Sequence, residues 1–75
     1  MDWSLKLIGN RETVRTEIGR NARIPLVACD ALAIILDNLP AEGVFVETSG
    51  SYDLTSYALS MTVKAGIYSQ EKVDG

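Results

Sequence analysis

Histidine is absent from the chain, and cysteine occurs once, as Cys29. Without histidine there is neither the usual proton shuttle near neutral pH nor the commonest metal ligand, and a Ser-His-Asp arrangement is impossible. One cysteine can form no internal disulfide and no cysteine-based zinc site. A small domain without such staples points to a reducing cytoplasm rather than to secretion. Glycine-rich phosphate cradles of the Gly-x-Gly-x-x-Gly or Gly-Lys-Ser/Thr type are missing as well, so Gly9-Asn10 reads as a generic turn from strand into helix. The opening Met1-Asp2-Trp3-Ser4 has no positively charged segment followed by an apolar run, so no signal peptide is expected. The longest mostly apolar stretch, Leu26 to Leu36, contains Asp30 and is too short to cross a bilayer. These absences together predict a soluble cytoplasmic protein with no cofactor, no metal and no membrane partner.

Positive charge is scarce too: seven Lys and Arg stand against ten Asp and Glu, for a net charge of −3. That balance disfavours nucleic acid, because phosphate binding needs clustered positive charge. The average hides an asymmetry. Lys6, Arg11, Arg15, Arg20 and Arg23 lie in the first 23 positions, whereas Asp30, Asp37, Glu42, Glu47 and Asp53 occupy the middle with no basic residue among them.

What is present suffices for one fold. At 75 residues and 47% hydrophobic content the chain is a single small domain, apolar enough to fold and too small to enclose a sizeable active site. Trp3-Ser-Leu-Lys-Leu-Ile8 alternates apolar and polar residues, the period of a half-buried strand with Trp3, Leu5 and Leu7 inward. Asn10 is placed to cap a helix, with Glu12 near its positive end and Val14, Ile18 and Ala22 as its apolar stripe, ending near Gly19 to Asn21. Ile24-Pro25 restarts the chain into a second helix, Leu26 to Asn38. In that helix only Asp30 and Asp37 are charged, on one narrow line, so it must be covered on more than one side.

After the loop Leu39-Pro40-Ala-Glu-Gly43, Val44 to Ser49 reads as a strand, Gly50 to Ser56 as a turn, and Tyr57 to Lys64 as the clearest strand. Ile67-Tyr68 would continue it, with a bulge at Gly66. Residues 70–75 read as a frayed polar tail. The fold class is α+β, a two-layer sandwich in the order β-α-α-β-β, with helices on one face of a three-stranded mixed sheet. Strands one and two are expected to run parallel with strand three between them, a 1-3-2 order.

Catalysis finds little support. Cys29 has no histidine to activate it and reads as a packed thiol. Glu47 and Asp53 flank the expected turn closely enough to meet, as an acid-base pair or a cation site, yet Asp53 in Gly-Ser-Tyr-Asp reads first as a side chain bonding its own backbone. No enzymatic role is expected. An open sheet face of Ser4, Lys6, Ile8, Phe45, Glu47, Ala58, Ser60 and Thr62 points instead to protein recognition, and spare apolar surface with free strand edges makes a homodimer the simplest additional partner.

Trp3-Ser4-Leu5 with Gly9 before a charged helix, the Ile24-Pro25 restart, and Leu39-Pro40 leading into Gly43-Val44-Phe45-Val46-Glu47-Thr48-x-Gly50 give the chain its likeness to known sequences. It resembles a group of small phage-encoded proteins of no settled function. The likeness implies a viral origin and action in a bacterial host cytoplasm, with no reaction attached. It departs at Ser49 and Ser51, where similar sequences often carry histidine, so a metal or acid-base role does not carry over to that turn.

The sequence thus predicts a non-enzymatic protein-binding module, a phage accessory protein that binds a host protein or inhibits a host defence complex. The surface would be Phe45, Glu47, Tyr52, Asp53 and Tyr57, or the acidic line Asp30 and Asp37. One alternative is a small nucleic-acid binder using Arg11, Arg15, Arg20 and Arg23. Another is a structural or assembly component of a virion.

Overall fold

Residues 1–68 are described by a computed structural model, and the expected tail at 70–75 lies outside them. Strand β1 (Asp2–Gly9) leads through Asn10 into helix α1 (Arg11–Arg20), a short link leads to helix α2 (Leu26–Asp37), and strands β2 (Val44–Asp53) and β3 (Ala58–Ile67) follow. The result is an α+β fold in the order β-α-α-β-β, with three strands in one open sheet.

Local chemistry accounts for each helix boundary. The Asn10 side chain accepts a hydrogen bond from the Thr13 amide at 2.8 Å and so satisfies one of the orphan donors of the first turn. Glu12 lies in that turn and Arg20 in the last, the charge placement the helix dipole favours. Val14 and Ile18 form the buried line of α1, but Ala22 lies past the helix end and is exposed, and Ile24 fills the core there instead. Pro25 precedes α2, and Ala28, Leu32 and Leu36 fall at i, i+4, i+8 on its buried face.

The sheet corrects the sequence reading. Both pairings, β1 with β2 and β2 with β3, are antiparallel, and the strand order is β1-β2-β3. The sheet is therefore neither mixed nor in 1-3-2 order. The physical reason is a count of reversals. A single helix between two strands returns the chain to run parallel, whereas an antiparallel helix pair adds one more reversal. Two contacts fix that pairing: the Arg11 amide donates to the Ala41 carbonyl and the Arg11 guanidinium to the Leu39 carbonyl, so the start of α1 meets the end of α2. Strand β2 thus begins beside the end of β1, where Gly9 pairs with Val44.

Alternation divides the sheet into two faces. Inward lie Trp3, Leu5 and Leu7 of β1, Val44, Val46 and Thr48 of β2, and Met61, Val63 and Ala65 of β3, all packed with Val14, Ile18, Ile24, Ala28, Leu32 and Leu36. One buried polar side chain, Thr48, accepts from the Trp3 indole N–H at 3.2 Å, so neither group is left unsatisfied. Gly66 forms no bulge: it pairs in register with Phe45, whose ring lies over it. Strand β2 runs on to Asp53, so the turn occupies only residues 54–57.

Candidate functional site

The outer face of the sheet is the surface the helices leave open. Period-two alternation places Asp2, Ser4, Lys6 and Ile8 on it from β1. Register then sets Lys6 opposite Glu47 and Glu47 opposite Lys64, a glutamate flanked by two lysines in one row across three strands. The adjacent row joins Ser4, Ser49 and Thr62. Together these six side chains line a shallow depression of about 550 Å³. At the other side of the charged row, Ile8 pairs with Phe45, with Ile8 52% exposed and Phe45 half-buried over Gly66. All eight residues expected on this face therefore lie on it.

The remaining expected site residues scatter. Tyr52 has the opposite parity: it faces the helical side, half-buried against the core. Tyr57 sits in the turn, 75% exposed and with φ of +59°. Glu47 and Asp53 do not meet. They are six residues apart on one extended strand, roughly 20 Å at the rise of a β-strand, so the pair can serve neither acid-base chemistry nor a shared cation. Asp53 instead accepts from the amides of Thr55 at 2.8 Å and Ser56 at 3.4 Å, and these backbone bonds hold its carboxyl below the usual range. Asp37 pairs with Arg15 of α1 at the surface, and Asp30 is exposed.

Structural duties also engage half of the arginine cluster. Arg11 donates to the Leu39 carbonyl at 2.7 Å, and Arg15 is the partner of Asp37. Arg20 and Arg23 are exposed at the far end of α1, so the four guanidinium groups do not form one patch. Cys29 lies in the groove between the helices, its thiol near the carbonyl oxygens of Ile24 and Ile18 at 3.8 and 3.9 Å. Burial first, and the neighbouring Asp30 charge second, push its pKa up, the reverse of an activated thiolate. Among the described residues no group of three or more Cys, Asp or Glu is placed to hold a metal ion, and no helix is long and apolar enough to cross a membrane.

The Lys6-Glu47-Lys64 row escaped sequence reasoning. Its signal was available only through register: once the hairpin turn is fixed at residues 54–57, Lys64 must fall opposite Glu47. No known protein family, curated protein or solved structure matches the chain.

Proposed function

We propose that the chain is a non-enzymatic protein-binding module whose working surface is the outer face of the sheet. In line with its resemblance to small phage-encoded proteins, the target would be a protein of the bacterial host cytoplasm, such as a subunit of a defence complex. The observation that carries this reading is the face itself, uncovered among the described residues, where the exposed Ile8 and half-buried Phe45 adjoin a row of alternating charge. Apolar anchors beside offset charges suit a protein surface, which supplies both kinds of contact. The charges on this face are Asp2, Lys6, Glu47, Asp53 and Lys64, more negative than positive, and a phosphate backbone would be repelled as much as attracted.

The test is capture from a candidate host lysate with identification by mass spectrometry, repeated with substituted chains. Ile8→Asp and Glu47→Gln on the outer face are expected to lose the captured protein, while Asp30→Asn on α2 keeps it. A partner retained by both outer-face variants would overturn the assignment of the surface.

A further inference from the structure

The geometry points to a second copy of this chain as the occupant of the β3 edge, joined through a twofold axis perpendicular to the sheet. Among the described residues, β3 is paired on one side only, by β2. It is ten residues long, contains no proline, keeps an unbroken register from Ala58 to Ile67, and carries one charge, Lys64, on the outer face. Edge strands are ordinarily blunted by prolines, bulges or several charges, because their free N–H and C=O groups template another strand. β3 has almost none of these devices.

A second feature lies on the same edge. The core line of α2 is Ala28, Leu32 and Leu36, and its flank toward α1 holds Cys29, near the Ile18 carbonyl, and Asp37, paired with Arg15. At 100° per residue the opposite flank is Val27, Ala31 and Ile35, while Ile34 stands on the outer back of the helix beside Asp30. Helix α1 approaches β1 and β2, and the core line of α2 shares one cluster with Met61, Val63 and Ala65 of β3, so this apolar flank lies on the β3 side of the helical layer. Val27 is 53% exposed there, with Ala31 and Ile35 half-buried, and in the sheet beneath Leu59 is 37% exposed with Met61 and Val63 half-buried. The edge is thus apolar in both layers, and α2 lacks the cover its composition demands.

A twofold axis perpendicular to the sheet satisfies both features at once. It lays two β3 strands antiparallel, keeps all four helices on one face, and brings the two α2 flanks together above the strand pair, an isologous contact. Centred on Thr62, the register sets Thr62 against its own counterpart, Met61 against Val63, Leu59 against Ala65 and Lys64 against Ser60. The two lysines then stand four residues apart, and β3 and this flank of α2 contribute no acidic group. A strand edge about 30 Å long and two layers about 20 Å deep offers on the order of 600 Å² per copy; doubled, this reaches the low end of stable interfaces, about 1,200 Å². This contact uses the strand edge and leaves the outer face free, so its failure would not touch the binding surface proposed above.

The experiment is sedimentation of the full chain across a concentration series, with three substituted forms. The wild type is expected to sediment as a dimer, and Val27→Glu, at an exposed position, to weaken the dimer at least about tenfold while leaving the circular dichroism spectrum unchanged. In a Cys29→Ala background, Thr62→Cys should oxidise to a covalent dimer and Ser60→Cys should not. A wild-type monomer at about 100 μM would overturn the proposal, whether the edge is then covered by an unlike protein or by residues 69–75. So would a dimer that tolerates Val27→Glu, or one that fails to cross-link through Thr62→Cys.

Discussion

The Trp3 indole lies against Gly50, so closely that a Cβ at position 50 would stand 2.6 Å from Trp3 Cζ2. The two residues pair across β1 and β2, and the glycine leaves the space into which the ring settles until it is only 4% exposed. That Cβ would press still harder on the Ser60 backbone carbonyl of β3, so Gly50→Ala is expected to cost at least about 2–3 kcal/mol, the upper range of overpacking in a rigid core. Denaturant unfolding followed by the fluorescence of Trp3 measures it directly. Gly66→Ala is the contrast: the Phe45 ring above it is half-buried on the open face and can give way, so the loss should stay below about 1 kcal/mol. Equal losses at the two positions would contradict this account.

Glu47 stands between Lys6 and Lys64, and reversing its charge sets three lysines in one row. Each like-charged cross-strand pair costs a few tenths of a kcal/mol, so Glu47→Lys should destabilise by about 1 kcal/mol, and less in high salt. Glu47→Gln should stay within about 0.5 kcal/mol of the parent. The neutral substitution is consequently the cleaner probe of binding. Thermal melts of both variants at low and high salt check the expectation, and a salt-independent loss would exclude an electrostatic origin.

Two ion-bearing contacts tie α1 to the end of α2, and they should differ in weight. Arg11 is part-buried and donates to the Leu39 carbonyl at 2.7 Å, so Arg11→Met should cost about 1.5 kcal/mol. The Arg15–Asp37 pair is largely in water, and Asp37→Asn should cost no more than about 0.5 kcal/mol. Urea midpoints of the two variants rank them. A larger loss at Asp37 would mean the surface pair, and not the Arg11 bond, holds the helices in place.

Elements whose signal is local were legible in the sequence, and elements set by pairing were not. Asn10 as the cap, Ile24-Pro25 as the restart and the inward line Trp3, Leu5 and Leu7 each follow from a few neighbouring residues. Strand order is a different matter, because alternation states which face a residue takes and nothing about its neighbour. The helix pair held the missing information in its extra reversal. At the hairpin, Gly50-Ser-Tyr-Asp has the composition of a turn, yet Gly50 serves Trp3 and the strand runs three residues further. That shift is why Tyr52 faces the core and Asp53 stands far from Glu47, while Phe45 and Glu47, which precede it, lie where alternation put them.

Asp53 and Tyr57 shape the tip of the hairpin from opposite sides of the energy balance. Hydrogen bonds from the Thr55 and Ser56 amides favour the charged carboxylate, so its folded pKa lies below its unfolded one. The stabilisation is present above the unfolded carboxylate pKa, about 3.9, and is lost as pH falls through the folded value. An NMR titration of the Asp53 carboxyl should show a midpoint below the ordinary range, and Asp53→Asn should remove the accompanying change at the Thr55 amide. Tyr57, at φ of +59°, occupies a conformation that costs a non-glycine residue about 1 kcal/mol, so Tyr57→Gly should stabilise the chain by roughly that amount. A midpoint at the ordinary value, or a destabilised Tyr57→Gly, would contradict the geometry of the turn.

Placing a helix pair between β1 and its partner β2 also orders events in time. The hairpin of β2 and β3 and the pairing of α1 with α2 each join near neighbours in the chain, whereas β1 must close a loop spanning both helices before Gly9 meets Val44 and Asp2 meets Ser51. During synthesis β1 emerges first and waits longest. Its Trp3 is expected to stay wet until Gly50 is delivered, so the fluorescence of the chain's single tryptophan should report the closing of β1 onto β2.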